Sequence, residues 1–150
     1  MKFTCSVDIN APVDEVVELF DDAENLQKWQ PDLLGIEQVS GTPGEVGAVS
    51  KMRYRSGKQE FDLFETIAVK NLPEEFTGEY ETKGVCWNTM KSRFTPLDDN
   101  RTRYDAELEY KLDGFMIKVI ALIMPGAFKK QTQKHIERFR DFVEQEVQGG

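Results

Sequence analysis

The chain has 150 residues, a length that suits one domain rather than two. A chain of this size buries roughly 68–70% of its unfolded surface, so it needs no disulfide or metal to hold a core. Its 27 acidic against 19 basic residues give a net charge of −8, a surface that repels phosphate backbones and anionic headgroups and so disfavours nucleic-acid or lipid-surface binding by general electrostatics.

The first segment, Lys2 to Asn10, alternates, with Phe3, Cys5, Val7 and Ile9 on one face, and predicts a half-buried strand. Asn10-Ala11-Pro12 then opens a helix with Asp14 and Glu15 in its first turn. Val13, Val16, Val17 and Phe20 form its apolar stripe. Asp21-Asp22 breaks it and caps a second short helix, Glu24 to Trp29, which Pro31 stops.

From about Leu34 to Leu112 six strands fit between the turn signals Ser40-Gly41, Pro43-Gly44, Ser56-Gly57, Asn71-Leu72-Pro73, Lys83-Gly84 and Asp98-Asp99-Asn100. The spacing leaves no room for crossover helices, so the sheet is expected to be an antiparallel meander. Alternation puts Met52 and Tyr54 on one face, opposite Lys51, Arg53 and Arg55. Phe61, Leu63, Glu65, Ile67 and Val69 share a face, as do Phe76, Gly78 and Tyr80. Thr102, Tyr104, Ala106, Leu108, Tyr110 and Leu112 oppose a charged face, so one side of the sheet is covered.

Asp113-Gly114 ends the sheet. Phe128, Thr132, His135, Ile136, Phe139, Phe142, Val143 and Val147 fall in one arc of a five- to six-turn amphipathic helix, whose stripe should lie on the concave face of the sheet. The domain is taken as residues 1–147, with 148–150 as a loose tail.

The order of one strand, two short helices, six strands and a long helix is carried by particular residues. They are Ile9-Asn10-Ala11-Pro12-Val13-Asp14-Glu15-Val16, Trp29-Gln30-Pro31, Phe94-Thr95-Pro96-Leu97, Asn100-Arg101-Thr102-Arg103-Tyr104 and the ending Phe139 to Glu146. Together they resemble the START-like (SRPBCC) superfamily, in its polyketide cyclase/dehydrase and lipid-transport branch, over essentially the whole chain. The resemblance implies an α+β helix-grip fold: a curved seven-stranded antiparallel sheet around the C-terminal helix, with a cavity between them. It implies an apolar ligand such as a lipid, sterol, polyketide, quinone or plant hormone. A minority of members are enzymes, and the family has no universal catalytic motif to carry over.

The expected cavity lining is Met52, Tyr54, Leu63, Tyr80, Met90, Tyr104, Leu108, Tyr110, Met116, Ile120 and Phe128, apolar walls with a few polar tips. The alternative is that these side chains pack on one another as core. Glu65 alternates with apolar neighbours and can point inward, where a carboxylate has a raised pKa and can act as acid or base. A bulge, an open sheet end or an arginine partner would instead leave it structural. His135 either touches a ligand or packs in the helix stripe, and Trp29 either walls the cavity entrance or plugs the sheet end.

Cys5 and Cys86 lie far apart with no Cys/His ligand spacing, and His135 is the single histidine, so neither a zinc site nor a Ser/His/Asp or Cys/His arrangement is built; both cysteines read as small buried hydrophobes in a reducing compartment. Gly41, Gly44 and Gly47 fit turns rather than a phosphate loop, and no cofactor is expected. The N-terminus lacks a continuous apolar stretch of the secretory kind, so the expected location is cytoplasmic. The run Phe115 to Met124 is apolar nearly all round yet too short to span a membrane. It either meets a lid, a homodimer partner or a donating membrane, or is covered by loops and the short helices.

Three functions follow. The first is a binding or carrier protein for an apolar small molecule such as a lipid or quinone. The second is a cyclase/dehydrase-type enzyme using Glu65 and one or more of Tyr54, Tyr80, Tyr104 and Tyr110. The third is a protein-interaction module through residues 115–124. The first two are separated by whether Glu65 points inward within hydrogen-bond reach of a tyrosine.

Overall fold

The computed structural model describes residues 1–112, 114, 115, 118, 119, 122, 124 and 126–149. Strand β1 (Lys2–Ile9) is followed by helix α1 (Val13–Phe20), a 3-10 turn (Ala23–Asn25) and the short helix α2 (Leu26–Trp29). Six strands follow: β2 (Leu33–Ser40), β3 (Val49–Ser56), β4 (Gln59–Asn71), β5 (Glu75–Thr82), β6 (Cys86–Asp98) and β7 (Arg101–Leu112). Helix α3 (Ala127–Gly149) ends the described chain. Gln148 and Gly149, expected in a loose tail, are the last residues of α3.

The strands form one sheet in the order β1-β7-β6-β5-β4-β3-β2, every neighbour antiparallel. This is the expected meander, with β1 returning to pair with the last strand. Bulges in β2, β4 and β6 add local twist and help the sheet curl. The bulge between Ile67 and Val69 corrects the alternation read from sequence, because the extra residue reverses the side on which later side chains emerge. Val69 is therefore 38% exposed rather than grouped with Leu63 and Ile67.

The core lies where α3 crosses the β1–β7 end of the sheet. Ile136, Phe139, Phe142 and Val143 on the helix are buried together with Cys5, Val7 and Ile9 of β1 and Tyr104, Ala106 and Leu108 of β7. Polar contacts fix the crossing: Gln133 Nε2 donates to the Ser6 carbonyl (3.0 Å), and Glu144 accepts from the Asn10 N–H (3.0 Å). Phe20 of α1 sits at the centre of an aromatic cluster, its ring 4.9 Å from Phe94 and 5.6 Å from Phe139. Asp22 caps the 3-10 turn through the Glu24 N–H (3.0 Å), as the Asp21-Asp22 pair implies.

Of the apolar run 115–124, Met116, Ile117, Ile120, Ala121 and Ile123 lie outside the described residues. Among the described ones, Phe115, Leu122 and Met124 are 79%, 82% and 57% exposed, so loops and short helices do not cover them. No helix among the described residues is long and apolar enough to cross a membrane.

Candidate functional site

Cross-strand partners share a face of the sheet, so register alone assembles the inner surface. Tyr110 pairs with Asn88, Asn88 with Tyr80, Tyr80 with Glu65, and Glu65 with Ser50. One polar row thus crosses β7 to β3 on the side that carries the core residues Tyr104, Ala106 and Leu108. Beside it, Leu63 pairs with Met52. Helix α3 fills the β1–β7 end of this face, and Leu63, Glu65, Phe76, Tyr80 and Met90 over β4–β6 are only half-buried.

Glu65 points inward. The Tyr80 hydroxyl donates to its Oε2 at 2.8 Å. Burial pushes the Glu65 carboxyl above the ordinary carboxylate value, and the hydrogen bond from Tyr80 only partly offsets this. Burial and the neighbouring carboxylate together raise the Tyr80 phenol well above its usual value. Among the described residues no arginine or lysine pairs with Glu65, and the β4 bulge comes after it, so neither a bulge nor an arginine partner accounts for its placement.

Gly78 sets the pose of Tyr80. A Cβ at Gly78 would lie 2.5 Å from the Tyr80 hydroxyl oxygen, so the ring folds back along its own strand over a position that must stay bare. Tyr54 stands nearby: its phenol is raised by burial and then by Glu65, and its hydroxyl donates to Gln30 Oε1 at 2.6 Å, tying β3 to the end of α2.

The other expected lining residues divide. Met52 is buried beside Leu63, and Met90 packs at the core margin. Tyr104 and Leu108 are closed into the core. Tyr104 shares a hydrogen bond of 3.0 Å with Ser92, and burial lifts its phenol to about 12. Tyr110 lies between Phe3 (5.9 Å) and Phe128 (5.1 Å), and burial lifts its phenol to about 12. Met116 and Ile120 lie outside the described residues. Trp29 plugs rather than walls: its ring meets His135 at 4.7 Å and Phe139 at 5.2 Å. His135 is therefore a packing residue, and burial with the Arg138 charge lowers its pKa to about 4.

Sequence reading missed Gln30, Asn88 and Ser92, all buried polar side chains. Asn88 and Ser92 alternate with Met90 and Phe94 along β6, a signal present in the sequence. Gln30 gave none, because its partner Tyr54 is 24 residues away.

The family described as polyketide cyclase / dehydrase and lipid transport matches residues 1–144. The chain belongs to that family. Its fold is also that of solved structures at low sequence identity. An aromatase/cyclase from a Streptomyces species superposes with a TM-score of 0.82 at 11% identity, over 98% of this chain and 95% of that one. A START superfamily protein from Mycobacterium smegmatis gives 0.74 at 14%, over 96% and 97%. Truncated norcoclaurine synthase from Thalictrum flavum gives 0.72 at 13%, over 98% and 92%. Among curated proteins none matches this cyclase/dehydrase and lipid-transport family member in sequence.

Proposed function

We propose that this protein binds an apolar small molecule, of the lipid, quinone or polyketide-like kind, on the inner face of the sheet, with the molecule's polar end at Glu65 and Tyr80. The observation that carries this reading is the half-buried apolar set of Leu63, Phe76 and Met90, beside buried Met52, on the part of the face that α3 does not fill. Ligand sites commonly join apolar walls to a few convergent polar groups. Ionisable groups with shifted pKa values in such places are candidates for function. Family membership supports an apolar ligand. The test is native mass spectrometry of the purified protein, followed by denaturing extraction. An apolar molecule released in stoichiometric amount supports the reading. A chain that carries nothing and takes up no apolar probe opposes it.

The Glu65–Tyr80 hydrogen bond of 2.8 Å, the feature that separates catalysis from carriage, favours a second reading, acid–base catalysis of the cyclase or dehydrase type, and the aromatase/cyclase fold neighbour supports it. A desolvated carboxylate removes a proton next to a carbonyl more readily than a solvated one, and an adjacent phenol donates to the developing oxyanion. Here Glu65 would be the base, and Tyr80 would turn its hydroxyl from Glu65 to the oxyanion as Glu65 takes up the proton. Turnover of the extracted compound that falls about a hundredfold or more in Glu65→Gln separates this from simple carriage.

A further inference from the structure

We propose that the bound molecule presents a hydrogen-bond donor without negative charge at Glu65, an alcohol, phenol or amine, and that the site rejects carboxylates. This rests on the reading of the inner face as a binding site and adds the chemical class of its ligand.

The described residues offer no buried cation to receive an anion. All 19 lysines and arginines are among the described residues, and none is buried. Four are half-buried, and each already pairs with a carboxylate. Lys51 meets Glu37 at 3.8 Å, Lys70 meets Asp21 at 2.9 Å, Lys91 meets Glu75 at 3.9 Å and Arg140 meets Asp141 at 2.9 Å. The one histidine packs edge-on against Trp29. Along the inner row Tyr110, Asn88, Tyr80, Glu65 and Ser50, the only ionisable acid of ordinary strength is Glu65.

The two phenols nearest Glu65 are committed as donors. Tyr80 donates to Glu65 and Tyr54 to Gln30. What this site offers is acceptor capacity, because a carboxylate has about four lone-pair positions and Tyr80 takes one. A ligand carboxylate beside Glu65 would place two like charges in a poorly solvated space, where their repulsion far exceeds its value in water. A hydroxyl or ammonium group supplies the missing donor.

The test titrates dodecanol, dodecylamine and dodecanoate into the full chain below their micelle concentrations, read by native mass spectrometry and by displacement of an uncharged fluorescent apolar probe. The expected result is that the alcohol and the amine bind about tenfold or more tighter than dodecanoate, and that Glu65→Gln brings dodecanoate close to the alcohol. Dodecanol is the decisive comparator, since it is not drawn to a chain of net charge −8. Glu65→Leu serves as the second variant if the amide folds poorly. Dodecanoate binding as tightly as dodecanol overturns the inference and leaves the binding reading standing. Unchanged discrimination in the Glu65 variants overturns it too. Failure of all three compounds to bind removes the binding reading and the inference with it.

Discussion

Glu65 and His135 are both desolvated, yet they act on stability in opposite directions. Glu65 has a folded pKa above its unfolded value, so its favourable contribution is complete below the unfolded value and is lost as pH rises through the folded one. Glu65→Gln should therefore be more stable than the parent at pH 8 and lose that advantage under acid conditions. Urea unfolding across pH checks this, and an advantage independent of pH would contradict it. His135 has a folded pKa of about 4, below its ordinary 6.5, so its contribution is full above the unfolded value and disappears as pH falls through this window. His135→Phe should flatten that acid limb. Gly78→Ala should displace the Tyr80 ring from Glu65 at an overpacking cost of about 1–3 kcal/mol. Ultraviolet titration should then find one tyrosine returned towards ordinary behaviour in a chain whose circular dichroism is unchanged.

Among the elements, α3, β1 and β7 carry the core, and the described part of 115–124 does not. Phe139 is fully buried and touches the rings of Phe20, Trp29, Phe94 and Tyr104. Phe139→Ala should cost about 3–5 kcal/mol in chemical denaturation. The paired change Phe115→Ser with Leu122→Ser removes side chains that are mostly in water, so monomer stability should stay within about 0.5 kcal/mol. A drop in oligomeric mass on light scattering with that variant would assign the exposed residues to an interface between copies. Elements of this kind were readable because each states a period: the alternation in Arg101–Leu112 and the 3.6-residue stripe of α3 both appear in the folded chain. The Ile67/Val69 bulge was not readable, since no glycine or proline within β4 marks it, and with it went the side assigned to Val69.

In the whole molecule one long helix fills one end of a curved sheet, and half-buried side chains line the inner face over β4–β6. The six-strand meander and the covered side of the sheet followed from turn signals and alternation, whereas the seven-stranded sheet came from the resemblance and the pairing of β1 with β7 from the structure. The candidate site followed only in part. The position of Glu65 in the alternation suggested an inward carboxylate, but the tyrosine that meets it depends on β4–β5 register and on the bare Gly78, which are tertiary facts. The buried Tyr54–Gln30 link likewise depends on chain folding across 24 residues.

If the inner face over β4–β6 holds an apolar molecule, filling that space must expel it. Leu63→Trp places a large ring beside Met52 and Glu65 without adding charge. Native mass spectrometry of the parent and this variant, each with a folded circular dichroism spectrum, should find a retained or added apolar molecule on the parent and none on the variant. Equal retention by both, or a parent that neither carries nor takes up any apolar compound, would contradict the account.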